Sequence, residues 1–469
     1  MEIIHVSAEC YPMAKAGGLG DVVGALPKYQ NQLGHNAKVV MPMYRTKYLL
    51  ENKFDVVHKG AFGMGSYWFD YTIIQQANPE LGFDLFLVDI FGLLDREKIY
   101  GYDDDIERFM AFQIAVVDWI AKWEHKPDII HVHDHQAGLI PFMMKYCFDY
   151  AHLAGIKTIL TIHNGQYQGW IDWEKSSYLP NWDRFKWGIL DWKKTINSLA
   201  CGIKCVNRVT TVSPGYLEEL RYNANGLEML FEYEKGKCVG ILNGIDTDVW
   251  DPETDPYLDI KYNLKSLEKG KKKTKELICK DFGLDPLKPL IVFIGRLVGE
   301  KAADLLPQSI GDALYHSNGE MNFLVLGSGD PNVELQLGQL NHQFTGYYNS
   351  KIGYNEKLSH QMYAGADFLL MPSRVEPCGL NQLYALRYGT IPIVRNTGGL
   401  KDTVKDFGEP DGFGICFNHA SVWDITTSIT RAVALYNNKE LFTALRNKIM
   451  TIDHSWGNSA KMYLQIYNE

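Results

Sequence analysis

The chain has 469 residues, of which 46% are hydrophobic and 22% charged, so it is a globular chain too long for a single hydrophobic core. Its formal net charge of −9 argues against a main role in gripping nucleic acid, because such proteins are usually basic. The eight scattered cysteines indicate neither a zinc site nor a disulfide framework. No signal peptide or membrane-spanning run is evident. We therefore expect several domains, a cytoplasmic location, and neither a nucleic acid nor a membrane as partner.

The first motif reads Lys-Ala-Gly-Gly-Leu-Gly-Asp at residues 15–21 and follows a short apolar strand at residues 3–7. A glycine turn at the start of a helix presents backbone N–H groups to an anion, and Lys15 adds a positive charge there. The motif matches neither G-x-G-x-x-G nor the P-loop pattern. It predicts a phosphate or sugar-phosphate site at Lys15, Gly17 and Gly18.

Short β-branched apolar runs recur along the first half and alternate with helix-like stretches such as residues 109–123. The predicted strands are 38–41, 85–88, 128–132, 158–162 and 209–212. The pattern restarts in the second half, where each strand runs into a glycine or Pro-Ser turn; these strands are 290–294, 323–326, 368–371 and 391–394. Strands alternating with helices at this spacing predict two doubly wound parallel sheets of the α/β class.

Residues 248–267 are rich in Asp, Pro and Lys, and we interpret them as a hinge region between the halves. The following run, Lys-Gly-Lys-Lys-Lys at 269–273, is interpreted as a solvated helix start, with a polyanion site as the alternative. Residues 456–467 have apolar side chains at helical spacing and predict a C-terminal helix.

Candidate chemistry in the second half lies just beyond predicted strands, where α/β proteins bind ligands. Arg296 and Lys301 are suited to stabilise a diphosphate leaving group, with two ordinary surface charges as the alternative. Glu376 precedes a helix predicted to begin near Gly379, so it is placed to accept hydrogen bonds from sugar hydroxyls; helix capping is the alternative. Thr397-Gly398-Gly399 repeats this glycine turn one unit later.

These segments together resemble the glycogen and bacterial starch synthase family, retaining glycosyltransferases of the GT-B fold, over nearly the whole chain. The matching segments lie at residues 15–21, 243–246, 250–255, 295–301, 363–367, 371–374, 376–380 and 388–400, together with Tyr354. The resemblance implies two Rossmann-like domains facing each other across a cleft. Residues 1–247 would form the acceptor and catalytic domain, 248–452 the nucleotide-sugar donor domain, and 453–469 a helix that packs back on the first domain.

The resemblance also implies the reaction: glucose moves with retention from ADP-glucose, or UDP-glucose, to the non-reducing end of an α-1,4-glucan such as glycogen. No metal or other cofactor is implied. Residue by residue, the implied catalytic set is Glu376, His163, Arg296, Lys301 and Asp21. The implied donor-binding set adds Lys15 reaching across from the other domain, Tyr354 against the base, and Gly17, Gly18, Asn243, Cys378, Gly379, Leu380, Asn381, Thr397, Gly398 and Gly399.

Two departures from the family pattern affect substrate binding. Asn381 stands where the family usually has Thr, and we expect it to tune phosphate binding. The family's His-Asp-Trp motif reads His133-Asp134-His135 here, so a Trp associated with glucan stacking is missing; Asp134 and His135 are the acceptor-binding residues that the resemblance implies at these positions. Trp170 and Trp173 are interpreted as core residues, with glucan stacking as the alternative.

Two other activities stay open at this point. One is a glucosyltransferase that uses a small sugar as acceptor. The other is a metal-dependent hydrolase, because His131, His133 and His135 would share one face of a regular strand and such clusters bind zinc.

Overall fold

Two α/β units make up the chain in the computed structural model, which describes residues 1–76 and 81–469. Unit 1 comprises Met1–Asn243 and Trp456–Glu469, and unit 2 comprises Gly244–Ser455. Among the described residues, no helix is both long and apolar enough to cross a membrane.

A nine-stranded sheet forms the centre of unit 1, in the order β12-β11-β7-β6-β1-β2-β5-β4-β3. The strands from β12 to β5 pair in parallel, and β3 and β4 add an antiparallel hairpin at one edge. A small sheet in the order β8-β10-β9 lies beside it. The strands are β1 Glu2–Val6, β2 Asn36–Pro42, β3 Phe54–Met64, β4 Tyr67–Gln76, β5 Asp84–Asp89, β6 Ile129–His133, β7 Lys157–Ile162, β8 Trp170–Ile171, β9 Asp191–Trp192, β10 Thr195–Asn197, β11 Arg208–Thr211 and β12 Cys238–Gly240.

The helices of unit 1 bury the central strands, which is why those strands read as continuous apolar runs. Ile3 and Ile129 pack with Val22 of the first helix and with Trp456 and Tyr463 of the last. The α-helices are α1 Gly18–Gln32, α2 Lys47–Glu51, α3 Asp105–Ala121, α4 Ile140–Tyr146, α5 Trp187–Leu190, α6 Ser198–Cys205, α7 Pro214–Leu220, α8 Glu228–Tyr233 and the C-terminal helix Trp456–Asn468. Short 3₁₀ helices cover His135–Ala137, Phe148–Leu153, Trp173–Tyr178, Arg184–Lys186 and Lys235–Lys237.

Unit 2 contains an all-parallel sheet of six strands in the order β15-β14-β13-β16-β17-β18. The strands are β13 Leu290–Ile294, β14 Asn322–Gly327, β15 Tyr348–Ile352, β16 Phe368–Met371, β17 Ile391–Arg395 and β18 Ile415–Phe417. The α-helices are α9 Leu267–Phe282, α10 Leu306–His316, α11 Pro331–Gln343, α12 Glu356–Gly365, α13 Asn381–Arg387, α14 Gly398–Thr403, α15 Val422–Asn437 and α16 Lys439–Met450. Short 3₁₀ helices cover Leu264–Ser266, Gly299–Lys301 and Ala303–Leu305. The predicted parallel sheet in each half is therefore confirmed.

The segment interpreted as a hinge is packed into unit 2. Trp250 is stacked between the rings of His360 and Tyr384, with centroids 3.9 and 3.7 Å away. Asp255 is buried and accepts hydrogen bonds from His360 Nδ1 at 2.7 Å and the Tyr388 hydroxyl at 2.6 Å. Because rings and a charged pair hold this part of 248–267, it forms an ordered part of the unit and not a loose linker.

The His360–Asp255 pair makes the stability of unit 2 depend on pH. Burial alone would lower the pKa of His360, but the hydrogen bonds and charges of Asp255 and Glu356 raise it on balance. Burial would raise the pKa of Asp255, but its hydrogen bonds from His360 and Tyr388 lower it on balance. The histidine's contribution is therefore complete below its ordinary pKa of 6.5 and is lost as pH rises through the raised value. The aspartate's is complete above 3.8 and is lost as pH falls through the lowered value.

We expect His360→Phe, which keeps a ring against Trp250, to destabilise unit 2 by about 2 kcal/mol at pH 5.5. The loss should shrink at pH 8.5, where the wild-type histidine has given up more of its charge. Urea unfolding of both proteins at the two pH values measures this difference. Equal losses at both values would contradict a charged pair.

The lysine run at 269–273 lies in α9, and its members have different surroundings. Lys271 is 2% exposed, and its ammonium donates to main-chain oxygens of Tyr363, Ala364 and Tyr388 and to the Thr390 hydroxyl. The run does lie at a helix start, but its interpretation as solvated is wrong for Lys271, which ties α9 to the end of α12 and to the turn between α13 and β17. Its exposed neighbours in the run are solvated, as that interpretation predicted.

Candidate functional site

The lysine-glycine motif of unit 1 joins β1 to α1 and is stabilised by two carboxylates. Lys15 Nζ lies 2.8 Å from Asp21 Oδ1, which brings two of the predicted site residues together. Gly18 begins α1, and Gly17 is its N-cap. The N–H groups of Ala16 and Gly17 donate to Glu9 Oε2 at 2.7 and 3.0 Å. The prediction of a free backbone N–H at Gly17 is therefore wrong, because Glu9 accepts it.

Glu9 is a site residue that the sequence reasoning missed. It lies just beyond the carboxyl end of β1 and is 3% exposed. Its other oxygen accepts the Tyr100 hydroxyl at 2.7 Å. Burial raises the pKa of Glu9, while the donated hydrogen bonds oppose that rise. Its place at a strand end was the available signal, since this is where α/β sheets collect functional side chains.

Asp134 and His163 meet at the ends of β6 and β7. Asp134 has a positive φ of 55°, which turns the chain sharply after His133. Its Oδ1 accepts the backbone N–H of His163 at 2.7 Å and that of Asn164 at 3.5 Å. Burial raises the pKa of Asp134 to about 7 despite these bonds. Asp134 therefore positions the loop that carries His163.

The predicted histidine triad is wrong at His135. The turn at Asp134 ends the strand, so His135 begins a 3₁₀ helix and packs against Gly169. Within the described ranges, the metal-sized histidine cluster is His5, His131 and His133, whose ligand atoms lie within 4.8 Å of one another. His5 Nδ1 and His133 Nε2 are 3.0 Å apart in a hydrogen bond, so two rings of this cluster belong to a hydrogen-bonded chain.

Trp170 and Trp173, interpreted above as core residues with glucan stacking as the alternative, differ in their exposure. Trp170 is 42% exposed on β8, so the core interpretation is wrong for it. Trp173 is half-buried, and its indole N–H donates to Asp191 Oδ1 at 3.1 Å.

In unit 2 the structure brings Lys301 and Glu376 together although they are 75 residues apart in sequence. Lys301 Nζ lies 2.5 Å from Glu376 Oε2, and the Ser373 hydroxyl donates to the same oxygen at 2.9 Å. The Glu376 side chain is 7% exposed, and that of Lys301 is 23% exposed. Ser373 is a further residue that the sequence reasoning missed, and it lies at the end of β16. Glu376 therefore orients the Lys301 ammonium and takes one of its three N–H groups, which leaves the other two to donate elsewhere.

Arg296 follows β13 and keeps a more open position. Its side chain is 53% exposed, with a long 3.4 Å contact to Glu300 Oε2. The Glu300 carbonyl accepts the backbone N–H of Arg374 at 2.7 Å, which ties the Arg296–Lys301 loop to the Glu376 loop. Arg296 thus presents a half-exposed guanidinium on the same loop as Lys301.

Two glycines let the loop after β17 approach the Glu376 turn. Gly399 N donates to the Glu376 carbonyl at 3.1 Å. A Cβ on Gly398, whose φ is 44°, would overlap that same carbonyl oxygen, and one on Gly399 would overlap Cys378. Gly379 also has a positive φ of 74°, which turns the chain into α13. At Gly398 both conformation and space exclude a side chain, at Gly399 the space does, and at Gly379 the positive φ favours glycine.

The other predicted donor residues lie in varied surroundings. The Asn381 amide begins α13 and donates to the Ile294 carbonyl at 2.8 Å, so one of its N–H groups holds the β13 end. Tyr354 has 78% of its surface exposed, so its ring face is open to a ligand. Asn243 is buried, and within residues 1–76 and 81–469 its Oδ1 has no hydrogen-bond partner. Cys378, Leu380 and Thr397 form the turns around α13 and α14.

Comparisons with known proteins agree with this geometry. A family model described as starch synthase catalytic domain matches residues 2–233, and one described as glycosyl transferases group 1 matches residues 274–443. A glycogen synthase of Flavobacterium johnsoniae is 54% identical over 468 residues, covering 100% of this chain and 99% of its own. Glycogen synthase 1 of Synechocystis is 38% identical, covering 100% and 94%.

Solved structures agree as well. The catalytic domain of Arabidopsis thaliana starch synthase IV, bound to ADP and acarbose, has a TM-score of 0.90 and 32% identity, covering 100% of this chain and 98% of its own. A sucrose-phosphate synthase of Thermosynechococcus elongatus, at 14% identity and a TM-score of 0.65, shares the fold. The predicted GT-B fold class is confirmed. The chain therefore belongs to the glycogen and starch synthase family of glycosyltransferases.

Proposed function

We propose that this chain transfers glucose with retention from ADP-glucose to the non-reducing end of an α-1,4-glucan. The observation that carries the proposal is the Lys301–Glu376 pair beyond the strand ends of unit 2, with the half-exposed Arg296 on the loop that carries Lys301. Loss of a nucleoside diphosphate builds negative charge on the departing oxygen. A fixed cation aimed at that oxygen is usually the largest catalytic contribution.

Within this proposal Lys301 and Arg296 bind the diphosphate, and Tyr354 stacks on the nucleotide base. Glu376 orients Lys301 and also lies where sugar hydroxyls would reach its carboxylate. Cys378, Gly379, Leu380, Asn381, Thr397 and the two following glycines complete the donor site. His163 and Asp21 face the sugar, Lys15, Gly17, Gly18 and Asn243 also serve the donor, and Asp134 and His135 serve the glucan.

Retention requires the new bond to form on the face that the leaving group vacates. We infer a front-face displacement. The bond from the sugar's anomeric carbon to the phosphate oxygen breaks as the acceptor oxygen bonds to that carbon. The acceptor's proton passes to the departing phosphate oxygen, so no second enzyme carboxylate is needed as nucleophile. The reaction as proposed uses no metal, and a cytoplasmic location is part of the same proposal.

A donor and acceptor assay tests the proposal. Purified protein is given radiolabelled ADP-glucose or UDP-glucose, with glycogen or with glucose and glucose phosphates, each with and without EDTA. We expect transfer to glycogen, faster from ADP-glucose, and unchanged by EDTA. Transfer only to a small sugar would establish the alternative acceptor, and no transfer to any acceptor would refute the enzyme activity proposed.

The same assay tests the role of Lys15. The Lys15 side chain is one-third exposed, and its ammonium is held in place by Asp21. Because the proposal gives this ammonium a contact with the donor, we expect Lys15→Ala to lower kcat/KM for the donor about tenfold. The matched control is Lys28→Ala, which changes another lysine at α1. Unchanged turnover of Lys15→Ala would contradict a donor role for this residue.

A further inference from the structure

A continuous hydrogen-bonded chain runs through the core of unit 1 from His163 to the C-terminal helix. Seven buried side chains make it up, in the order His163, His133, His5, Gln30, Tyr467, His131 and Thr161. The successive distances are 3.0, 3.0, 2.8, 3.0, 2.6 and 2.6 Å. Thr161 continues it to the Thr210 hydroxyl at 2.5 Å. None of these bonds except the one at His163 involves a residue assigned to the substrates above.

The amide of Gln30 gives the chain a direction. Its Oε1 can only accept, so His5 Nε2 must carry the hydrogen that bonds to it. A neutral imidazole has one N–H, so His5 Nδ1 is an acceptor and takes the hydrogen of His133 Nε2. By the same step, His133 Nδ1 takes the hydrogen of His163 Nε2. His163 is left with a lone pair at Nδ1.

The other side of the amide continues in the same direction. Gln30 Nε2 donates to the Tyr467 hydroxyl, which passes its own hydrogen to His131 Nδ1. His131 Nε2 then donates to Thr161 Oγ1. Each hydrogen bond of the chain therefore contains one hydrogen, with a donor on one side and an acceptor on the other.

Burial keeps the four imidazoles neutral, which the directional argument needs. Burial lowers the pKa of His5 to about 4 and that of His163 to about 3. It also holds the pKa values of His131 and His133 well below their usual range. A neutral ring is one donor and one acceptor, so a change at one end of the chain alters the preferred tautomer at the other.

We propose that Gln30 and Tyr467 are positioning residues that hold His163 as the Nε2–H tautomer, with Nδ1 kept as a hydrogen-bond acceptor. In the transferase proposed above, on which this last step rests, that lone pair receives a sugar hydroxyl. In the opposite tautomer, His163 Nδ1 would carry the hydrogen and would donate to the sugar oxygen instead of accepting from its hydroxyl. The tautomer of a site residue is thus set by a tyrosine on the last helix of the chain.

The contacts that fix the C-terminal helix in unit 1 explain why Tyr467 can hold its place in the hydrogen-bonded chain. Lys157 Nζ donates to the Tyr467 carbonyl at 2.8 Å, and the Ser459 hydroxyl donates to the Leu242 carbonyl. Trp456 and Tyr463 of the same helix pack in the core with Ile3 and Ile129. The Tyr467 hydroxyl is therefore held at a fixed depth between Gln30 and His131.

The test reads the tautomer directly and does not depend on turnover. Full-length protein labelled with ¹⁵N-histidine is examined by NMR, in which protonated and unprotonated ring nitrogens differ in ¹⁵N shift, and a His163→Gln variant assigns the signal. We expect His163 to be protonated at Nε2 at neutral pH. Tyr467→Phe and Gln30→Met should each give mixed tautomers and lower kcat about fivefold to tenfold, with little change in the donor KM.

The matched control is Tyr463→Phe, which removes a hydroxyl from the same helix but not from the chain, and should change neither reading. A wild-type His163 protonated at Nδ1 would overturn the proposal, as would an unchanged tautomer in both Tyr467→Phe and Gln30→Met. Stoichiometric Zn²⁺ retained after dialysis would overturn it too, because ligation would break the His5–His133 bond. If the tautomers shift as expected in a protein that transfers no glucose, the chain stands and only the proposed function fails.

Discussion

Replacing Lys301 by glutamine is expected to lower kcat by roughly 10²–10³-fold, the loss typical of one preorganised group that stabilises transition-state charge. Glutamine retains a donor for Glu376 Oε2 and so avoids leaving that buried carboxylate without a partner. In the proposed reaction, what it removes is the positive charge that stabilises the departing diphosphate. Because that charge develops as the bond breaks, kcat should fall more than the donor KM rises.

Steady-state kinetics with the donor varied at saturating glycogen measures the change. The matched control is Lys273→Gln, an exposed lysine on α9 of the same unit, which should leave both constants as they are. A Lys301→Gln enzyme with normal kcat and only a raised KM would assign Lys301 to ground-state binding, and the leaving-group role would be wrong.

Strands were predictable where both faces of the sheet are covered. The runs at Leu290–Ile294 and Phe368–Met371 are wholly or almost wholly buried and end in a glycine or Pro-Ser turn. The apolar run and the turn residues that end it therefore predict the observed strand bounds. The β3–β4 hairpin gave no such signal. It lies at a sheet edge, and side chains such as Val56 and Trp68 are exposed at 57% and 78%. Without a continuous buried face, composition does not distinguish an edge strand from a loop.

The placement of the candidate residues was predictable where one segment carries its own chemistry. Lys301 and Glu376 lie in the loops that follow β13 and β16, and the carboxyl ends of parallel strands collect at one sheet edge. Hydrogen bonds between segments that are distant in sequence were not predictable. Gln30 and Tyr467 lie 437 positions apart, and each alone is an ordinary residue on an amphipathic helix. His135 failed for a local reason, since the positive φ of Asp134 ends the regular strand before His135, and an Asp in a strand-like run does not by itself predict that turn.

Replacing Gly398 by alanine is expected to lower activity by at least about 10²-fold, because a small displacement of a catalytic group carries that cost. The new Cβ would overlap the Glu376 carbonyl oxygen, and the φ of 44° adds strain for any L side chain. Either the α14 turn or the Glu376 loop must shift. A shift of that loop would move the carboxylate that holds Lys301 Nζ.

Gly299→Ala is the matched control, since Gly299 begins the 3₁₀ helix that carries Lys301 and its added Cβ would meet nothing within 4 Å. Circular dichroism and thermal unfolding should show both variants folded, with Gly398→Ala less stable, while turnover separates them. Equal activity of the two variants would mean that the Glu376 loop tolerates movement. The rigid pairing of Glu376 with Lys301 would then not be required for transition-state stabilisation.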